Sequence, residues 1–519
     1  MEKPAEEIVQ IGSAHPVRED GVEVVLNPED PMNWGWIQKH SILACISLLG
    51  GLGTYAGLFI VPAYVLMSKQ FHKSVTEVSY LVGIYVLVLG AGPLIWNPFA
   101  QTLGRRPVYL ASTAVALGGA IWGACARSYG SMAGARVLLA FGLSAVHALG
   151  GITVADMFPR EVRGEKIGWW TLMASTWSRP FLGPILAAYI VAETGDWYWV
   201  FGHLAVALGI ILLYIFFFVP ETLYFQGNVQ EQHRARQLSV RLRPFEHAEI
   251  PKWSTAFFRP LIMLKYPACW LPAFWFAWTF SWSVGIGTVI TILFGRFYHL
   301  KAPSVDLVYI APLIGAVLGE LAGGPFSDFV IQRIARRRNG QRQPEMRLHA
   351  MYPGLVCVVV GLVVFGVTLQ QRKHYIVPLV GLAIFIFGMQ ASTTVVFTYP
   401  VDCYLLQGAD ALALVGGLKN VVSFTIPFYI NPMVNSIGVQ NTFIAMAMIS
   451  LGLALVCVFS LIFYGERLRT WSGRPNWNRS MVRPPAQIAV DALPVPRSSV
   501  GKEDSIEEGR SLERGRRRE

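Results

Sequence analysis

The chain reads as an all-α membrane protein of twelve transmembrane helices arranged in two six-helix bundles, and three observations predict this. Of its 519 residues 53% are apolar and only 14% charged, against about 25% charged in ordinary soluble domains, and the mean hydropathy is +0.45. The apolar residues gather into twelve runs long enough to cross a bilayer, which takes about 20 residues each. A polar stretch over 220–266 divides those runs six and six, which suggests two bundles of equal span number. These observations exclude a water-soluble globule. The net charge of +11 would point to nucleic acid in a soluble chain, but here the basic residues sit between apolar runs, so no nucleic-acid partner is expected and the lipid bilayer is.

In chain order, residues 1–39 are polar and acidic and lack the basic-then-apolar pattern of a signal peptide, so they are expected to be cytosolic and disordered. The first bundle, 40–219, holds spans at 40–67, 76–98, 108–126, 132–155, 167–191 and 198–219. After the cytosolic loop 220–266, the second bundle, 267–464, holds spans at 267–295, 307–328, 349–369, 375–399, 412–436 and 441–464, each set by apolar length. The tail 465–519 is charged and rich in Pro and Ser, the composition of a disordered cytosolic segment. Cys45, Cys125, Cys269, Cys357, Cys403 and Cys457 fall in or beside apolar runs without metal-type spacing, so they read as buried small side chains and no metal is expected.

Lys and Arg of short loops are retained in the cytosol. With the N-terminus inside, the inner loops hold 18 basic residues and the outer loops 7, which places both termini in the cytosol.

The loop after span two runs from Gly92-Pro93 to Gly104-Arg105-Arg106-Pro107. Its glycines permit a tight turn, and its arginines can meet helix C-terminal carbonyls and acidic partners. After span eight a related string, Gly323-Gly324-Pro325-Phe326-Ser327-Asp328, is followed by Arg333 and Arg336 to Arg338. Span four starts Ala135-Arg136-Val137 and leaves through Ala155-Asp156-Met157 to Arg163-Gly164. These strings resemble the signatures of the major facilitator superfamily, although an acid usual to the family is replaced by Gln101. Asn27-Pro28-Glu29-Asp30-Pro31, Val219-Pro220-Glu221-Thr222-Leu223 and Tyr399-Pro400-Val401-Asp402 resemble its fungal drug:proton antiporter-type branch, which also includes polyamine and metabolite carriers. The resemblance implies the major facilitator fold and a conformational role for Gly92, Gly104, Arg105, Arg106, Asp156, Arg163, Gly183, Pro184 and Asp328.

Arg136 and His147 are eleven residues apart, about 16 Å along one helix face, a spacing that puts both on the lining of a wet cavity; for His147 a packing role is equally open. Span five carries Trp177-Ser178-Arg179-Pro180 and then Gly183-Pro184, where proline removes a backbone bond and glycine allows close contact. The branch's exporters have glycine at the position of Arg179. In span eight Glu320 is the carboxyl lying inside a span, at a depth close to that of Arg179, and the two are expected to pair as a gate or proton-coupling element or to meet water separately. A second candidate pair is Asp402 with Lys419, next to Asn420. Trp275, Trp278 and Trp282 recur at three and four residues and share a face, suited to a flat ligand or to packing; Tyr55 and Trp177 are further candidates for substrate contact. The deep charges Arg136 and Arg179 outnumber Glu320, which favours a substrate with a carboxylate or phenolate.

No phosphate loop, metal-binding cluster or nucleophile elbow is present in the sequence, so neither an enzyme nor a cofactor is expected. The expected function is proton-coupled export of a small organic molecule, a drug-like compound or secondary metabolite, by a multi-pass plasma-membrane protein working as a monomer. Uptake of a polyamine or other nutrient is the alternative on the same fold, and a non-transporting receptor the alternative of another class.

Overall fold

Span one starts as helix α1 (Trp36–Leu58), but it does not run unbroken to residue 67. The computed structural model describes residues 17–19, 22–24, 30–158, 166, 169–170, 182–222, 253–300, 304–337, 343–404, 407–473 and 475. In it α1 gives way to a 3₁₀ turn at Val61–Ala63 and then to α2 (Tyr64–Phe71). Pro62 explains the break, since it has no amide to donate back to the preceding turn. Helix α3 (Val75–Leu103) opens on a capping box: Ser74 Oγ accepts from the Glu77 amide at 3.2 Å, and Glu77 Oε2 accepts from the Ser74 amide at 2.9 Å. Next come α4 (Arg105–Cys125), α5 (Tyr129–Met157), α6 (Leu182–Thr194) and α7 (Tyr198–Phe218). Of span five, only α6 and a few isolated residues are described.

The loop 220–266 is not wholly irregular, because it contains α8 (Trp253–Ile262) and a 3₁₀ turn at Met263–Lys265. Phe258, Leu261 and Ile262 are exposed on α8, an apolar surface short of a span's length. The second half then runs α9 (Pro267–Tyr298), α10 (Ile310–Arg337), α11 (Tyr352–Gln370), α12 (Ile376–Cys403) and α13 (Gly408–Ile437). Span twelve is α14 (Val439–Leu453), a π turn at Ala454–Val458, and α15 (Phe459–Ser472), so helix continues past residue 464. Near the N-terminus, where no structure is expected, β1 (Val17–Glu19) pairs antiparallel with β2 (Val22–Val24), Val17 opposite Val24. Cys125, expected to be buried, is exposed at the end of α4.

Eleven helices among the described residues are long and apolar enough to cross a membrane, and α6 stands in the place of the remaining span. The two halves pack alike. In the first, α5 lies against α1, α3 and α4; in the second, α12 lies against α9, α10 and α11. Small residues allow the close approach in both: Gly142 of α5 rests on the α4 backbone at Ser112 and Ala116, and Gly388 of α12 rests on the α11 backbone at Gly354. This repetition matches the duplicated loop motifs. Contacts between the halves run from α1 to α9, from α3 to α13, and from α6 to the turn Ser304–Tyr309, while α8 touches both α3 and α13. We call the end carrying Arg105 and Arg347 the basic end, and the opposite one the far end.

Candidate functional site

Arg136 is fully buried, and its partners are backbone carbonyls. One terminal guanidinium nitrogen donates to Ala56 O at 2.5 Å, the other to Gly57 O at 2.8 Å, and Nε donates to Leu81 O at 3.3 Å. Ala56 and Gly57 stand in the last turn of α1, where carbonyls have no intrahelical donor, and a cation there also suits the helix dipole. The guanidinium sits over the Tyr85 ring at 4.2 Å and the Phe59 ring at 5.4 Å. Tyr85 in turn donates to Gly53 O at 2.6 Å. Rather than lining a wet cavity, Arg136 is enclosed by protein and braces the break in span one.

His147, one helix face lower, lies against Gly53 of α1, where an added Cβ would stand 2.8 Å from Nε2. That nitrogen is buried without a hydrogen-bond partner. On α13, the ammonium of Lys419 stands 4.4 Å from the centre of the Phe280 ring of α9, a cation–π contact. The next residue, Asn420, presses on Gly90 of α3, leaving no room for a side chain there. Helices α1, α3, α5, α9 and α13 thus meet at one junction that joins the two halves. Lys419 is eleven residues into α13 and His147 ten from the end of α5, about 15 Å from the basic end and hence near mid-membrane.

Towards the far end the halves are sealed. Leu58 packs on Gly287, Tyr80 stacks by Phe428 with ring centres 4.5 Å apart, and Gly83 approaches Phe424 O so that a Cβ would lie 2.9 Å from it. Gly183 of the Gly183-Pro184 pair meets Tyr55 O, 2.6 Å from an added Cβ, so the pliable point of span five rests on the last turns of α1. A cavity of about 390 Å³ opens at the far end, lined by Val61, Thr76, Val289, Arg296, Asn431 and other residues. It lies beyond the seal and contains none of the expected site residues.

Several expected partners prove to be elsewhere. Asp402 does not meet Lys419; it accepts from Arg347 Nε at 2.8 Å. Glu320 accepts from the buried Gln390 amide of α12, while its expected pairing with Arg179 lies outside the described residues. Trp275 and Trp282 are buried against α14, their indole N–H groups donating to Ser450 O at 3.2 Å and Ser450 Oγ at 2.9 Å, and Trp278 stacks beside Trp282. This is internal packing of the second half, because a buried indole N–H must find an acceptor. The Tyr55 hydroxyl is bonded to His203 Nε2 at 2.6 Å. Arg163, Trp177 and Arg179 lie outside the described residues. Phe280, Gln390 and His203 were not singled out from sequence. A polar residue inside an apolar span would have flagged Gln390 and His203, whereas Phe280 is one of many span phenylalanines and carries no such signal.

At the basic end the arginine motif closes a network. Gly104 takes φ +97°, and Glu221, from the motif after span six, accepts from the amides of Arg105 at 2.8 Å and Arg106 at 3.0 Å. Its carboxylate thereby caps the start of α4. Arg105 reaches Asp156 at 3.4 Å and Ala100 O at 2.6 Å, and Arg106 donates to Phe216 O at 2.6 Å. Gly92 lies flush on Ser144 of α5. The second half repeats the plan: Arg347, before α11, holds Asp402 and stands 4.0 Å from Asp328, while Arg469 forks onto Glu345 at 2.8 and 3.0 Å. Glu221→Ala is expected to cost about 1–2 kcal/mol of stability through the lost cap, read as a lowered unfolding temperature in detergent. An unchanged temperature would mean that the α4 start is satisfied without Glu221.

The model of the Major Facilitator Superfamily matches residues 43–428. An uncharacterised transporter of Schizosaccharomyces pombe is 27% identical, the match covering 86% of this chain and 92% of that protein. The transporter cpaT of Aspergillus oryzae is 28% identical over 85% and 90%, and the probable efflux pump mfs2 of Aspergillus flavus is 26% identical over 79% and 98%. Among solved structures, the human organic anion transporter MFSD10 superposes with a TM-score of 0.52 at 16% identity, covering 82% of this chain and all of that one, which supports the fold. With a family match over most of its length, two like-packed halves and arginine networks repeated at the basic end, the chain belongs to the Major Facilitator Superfamily and is a membrane transporter, not an enzyme.

Proposed function

We propose that the chain is a proton-coupled exporter of a small organic compound, working by alternating access between the bundles 40–219 and 267–464. The observation that carries this reading is the uneven meeting of the halves. Their contacts run from Leu58–Gly287 and Tyr80–Phe428 at the far end to Gly90–Asn420 at mid-depth, so the junction of His147 and Lys419 stands at the inner limit of a far-side seal. A solute approaching from the basic end would meet this junction before the seal. Relatives named as efflux pumps support the outward direction. The excess of basic loop residues on one side supports a cytosolic basic end with both termini there. One chain holds both bundles, which is consistent with function as a monomer, and the plasma membrane is the site at which export would clear the cell.

Proton coupling is assigned to Glu320, whose hydrogen bond from Gln390 joins α10 to α12. Protonation would remove its charge and alter the balance between the inward-open and outward-open states. Asp402, held by Arg347, belongs instead to the basic-end network. The test is the protein reconstituted in vesicles, with a panel of compounds and an imposed pH difference. Export predicts movement of particular compounds against the proton gradient, uptake predicts movement with it, and a receptor predicts no flux. Glu320→Gln is expected to remove the pH dependence; if flux and its pH dependence both survive, the coupling group is another residue.

A further inference from the structure

We propose that His203 is a proton-binding site on the far side of the carrier, and that its protonation releases Tyr55, loosens the break in span one and favours the far-open state. This rests on the reading of the chain as an alternating-access carrier and adds a control of the far side that is separate from Glu320. The first ground is where the pair stands. Tyr55 is buried in the last turn of α1, one residue before Ala56. Arg136 holds the Ala56 and Gly57 carbonyls of that turn, and the Tyr55 carbonyl meets Gly183 of α6. The Tyr55 hydroxyl ties the same turn to α7, through His203 Nε2 at 2.6 Å. His203 is half-buried and five residues into α7, as Tyr80 of the seal is five residues into α3. Both are about 8 Å from the far end, so the nearer aqueous phase for His203 is the far one.

The second ground is the direction of the hydrogen bonds. His203 Nδ1 stands 3.1 Å from Trp199 O, and a carbonyl only accepts, so in the neutral ring Nδ1 carries the proton and Nε2 is the acceptor. The Tyr55 hydroxyl therefore donates to Nε2. A second proton, on Nε2, turns that nitrogen into a donor, and Tyr55 must swing its own hydrogen out of the bond. Among the described residues His203 is the hydrogen-bond partner of that hydroxyl, and a buried hydroxyl left without an acceptor is costly. The third ground is charge. The centre of the Phe59 ring is 6.5 Å from the His203 ring and 5.4 Å from the Arg136 guanidinium, so an imidazolium would share one aromatic neighbour with a buried cation where charges are poorly screened. Helix α7 packs on α1, α4 and α6, and its Tyr198 bonds to Gln70 of α2. The ionisable groups of those elements towards the far end are Tyr55, Cys125, Tyr189, Glu193, Tyr64 and Lys69, of which Tyr55 is the one bonded to His203. Arg179, lower in span five, lies outside the described residues.

The test reads the far-end distance between the halves by double electron–electron resonance, with the full chain in lipid nanodiscs. Spin labels go on Lys69→Cys and Ser436→Cys, exposed positions near the far ends of α2 and α13, in a background whose native cysteines are replaced. Measurements at about pH 8 and about pH 5.5 bracket the range in which an imidazole ordinarily gains its second proton. In the parent, the population at the longer distance should rise at least about fivefold at the lower pH. His203→Gln, whose amide does not titrate, should keep the short distance at both values. Tyr55→Phe, which lacks the tie to α7, should show the longer distance already at the higher pH and no step. Glu320→Gln should retain the step. A parent distance that ignores pH, a step that survives in His203→Gln or Tyr55→Phe, or a step lost in Glu320→Gln would overturn the proposal. Proton-driven flux in vesicles without the step would remove the far-side site and leave export standing. The step without flux of any compound would keep the site and remove export.

Discussion

Arg136→Met is expected to lower the unfolding temperature sharply and to abolish transport with it, because the change strips two buried helix-end carbonyls of their donor and a helical carbonyl, Leu81 O, of its second one. Ala56 O, Gly57 O and Leu81 O all take their bonds from this one guanidinium. An unsatisfied buried polar group costs about 1–3 kcal/mol, and two of these acceptors end a helix inside the membrane, where water offers little compensation. A total loss of about 3 kcal/mol or more is the expected size. Arg136→Lys should recover only part of it, since a point charge cannot span three carbonyls as a planar fork does. Thermal unfolding in detergent, measured beside flux in vesicles, separates the possibilities. If Arg136→Met folds as stably as the parent but loses flux, Arg136 contacts solute and its bracing of α1 is secondary.

Gly90→Leu is expected to shift the carrier away from the far-closed state. Gly90 has no space for a Cβ because Asn420 of α13 stands against it, and Gly417 faces the Gly90 carbonyl one turn earlier. Forcing a side chain into a packed contact costs about 1–3 kcal/mol, here charged to the one state in which α3 and α13 touch. That is a change of about 5- to 150-fold in the balance between states. A cysteine at Tyr80, which in the parent stacks by Phe428, should react faster with a membrane-impermeant maleimide in the Gly90→Leu background, and flux should fall. Unchanged labelling and flux would mean that α3 and α13 do not separate during transport.

Much of the architecture was legible in the sequence, for a simple physical reason. A bilayer demands long apolar runs and holds basic loops on one side, and both demands are met by residues close together in the chain. The arginines after α3 are likewise readable as partners for acids and carbonyls, and they bond to Asp156, Ala100 O and Phe216 O. What each deep polar group would bond was less legible. Helical spacing placed Arg136 and His147 on one face, but it could not reveal that α1 would break at Leu58 and offer Arg136 its carbonyls. Spacing also put Trp275, Trp278 and Trp282 on one face without saying that Ser450, far along the chain, would receive two of the indoles. Similar depths of Arg179 and Glu320 suggested a pair, and depth alone did not reveal that Glu320 also accepts from Gln390, on a helix that the comparison did not include.

The sequence by itself determined that this chain lives in a membrane, that its spans fall into two sets of six, and that it resembles a known superfamily of carriers. The tertiary structure decided which polar side chains are braces, which are packing and which meet between the halves. The reason is that little water reaches the mid-membrane region, so each polar group there must take whatever partner the fold brings within about 3 Å. Those partners come from other helices, and only the packing of the helices chooses among them.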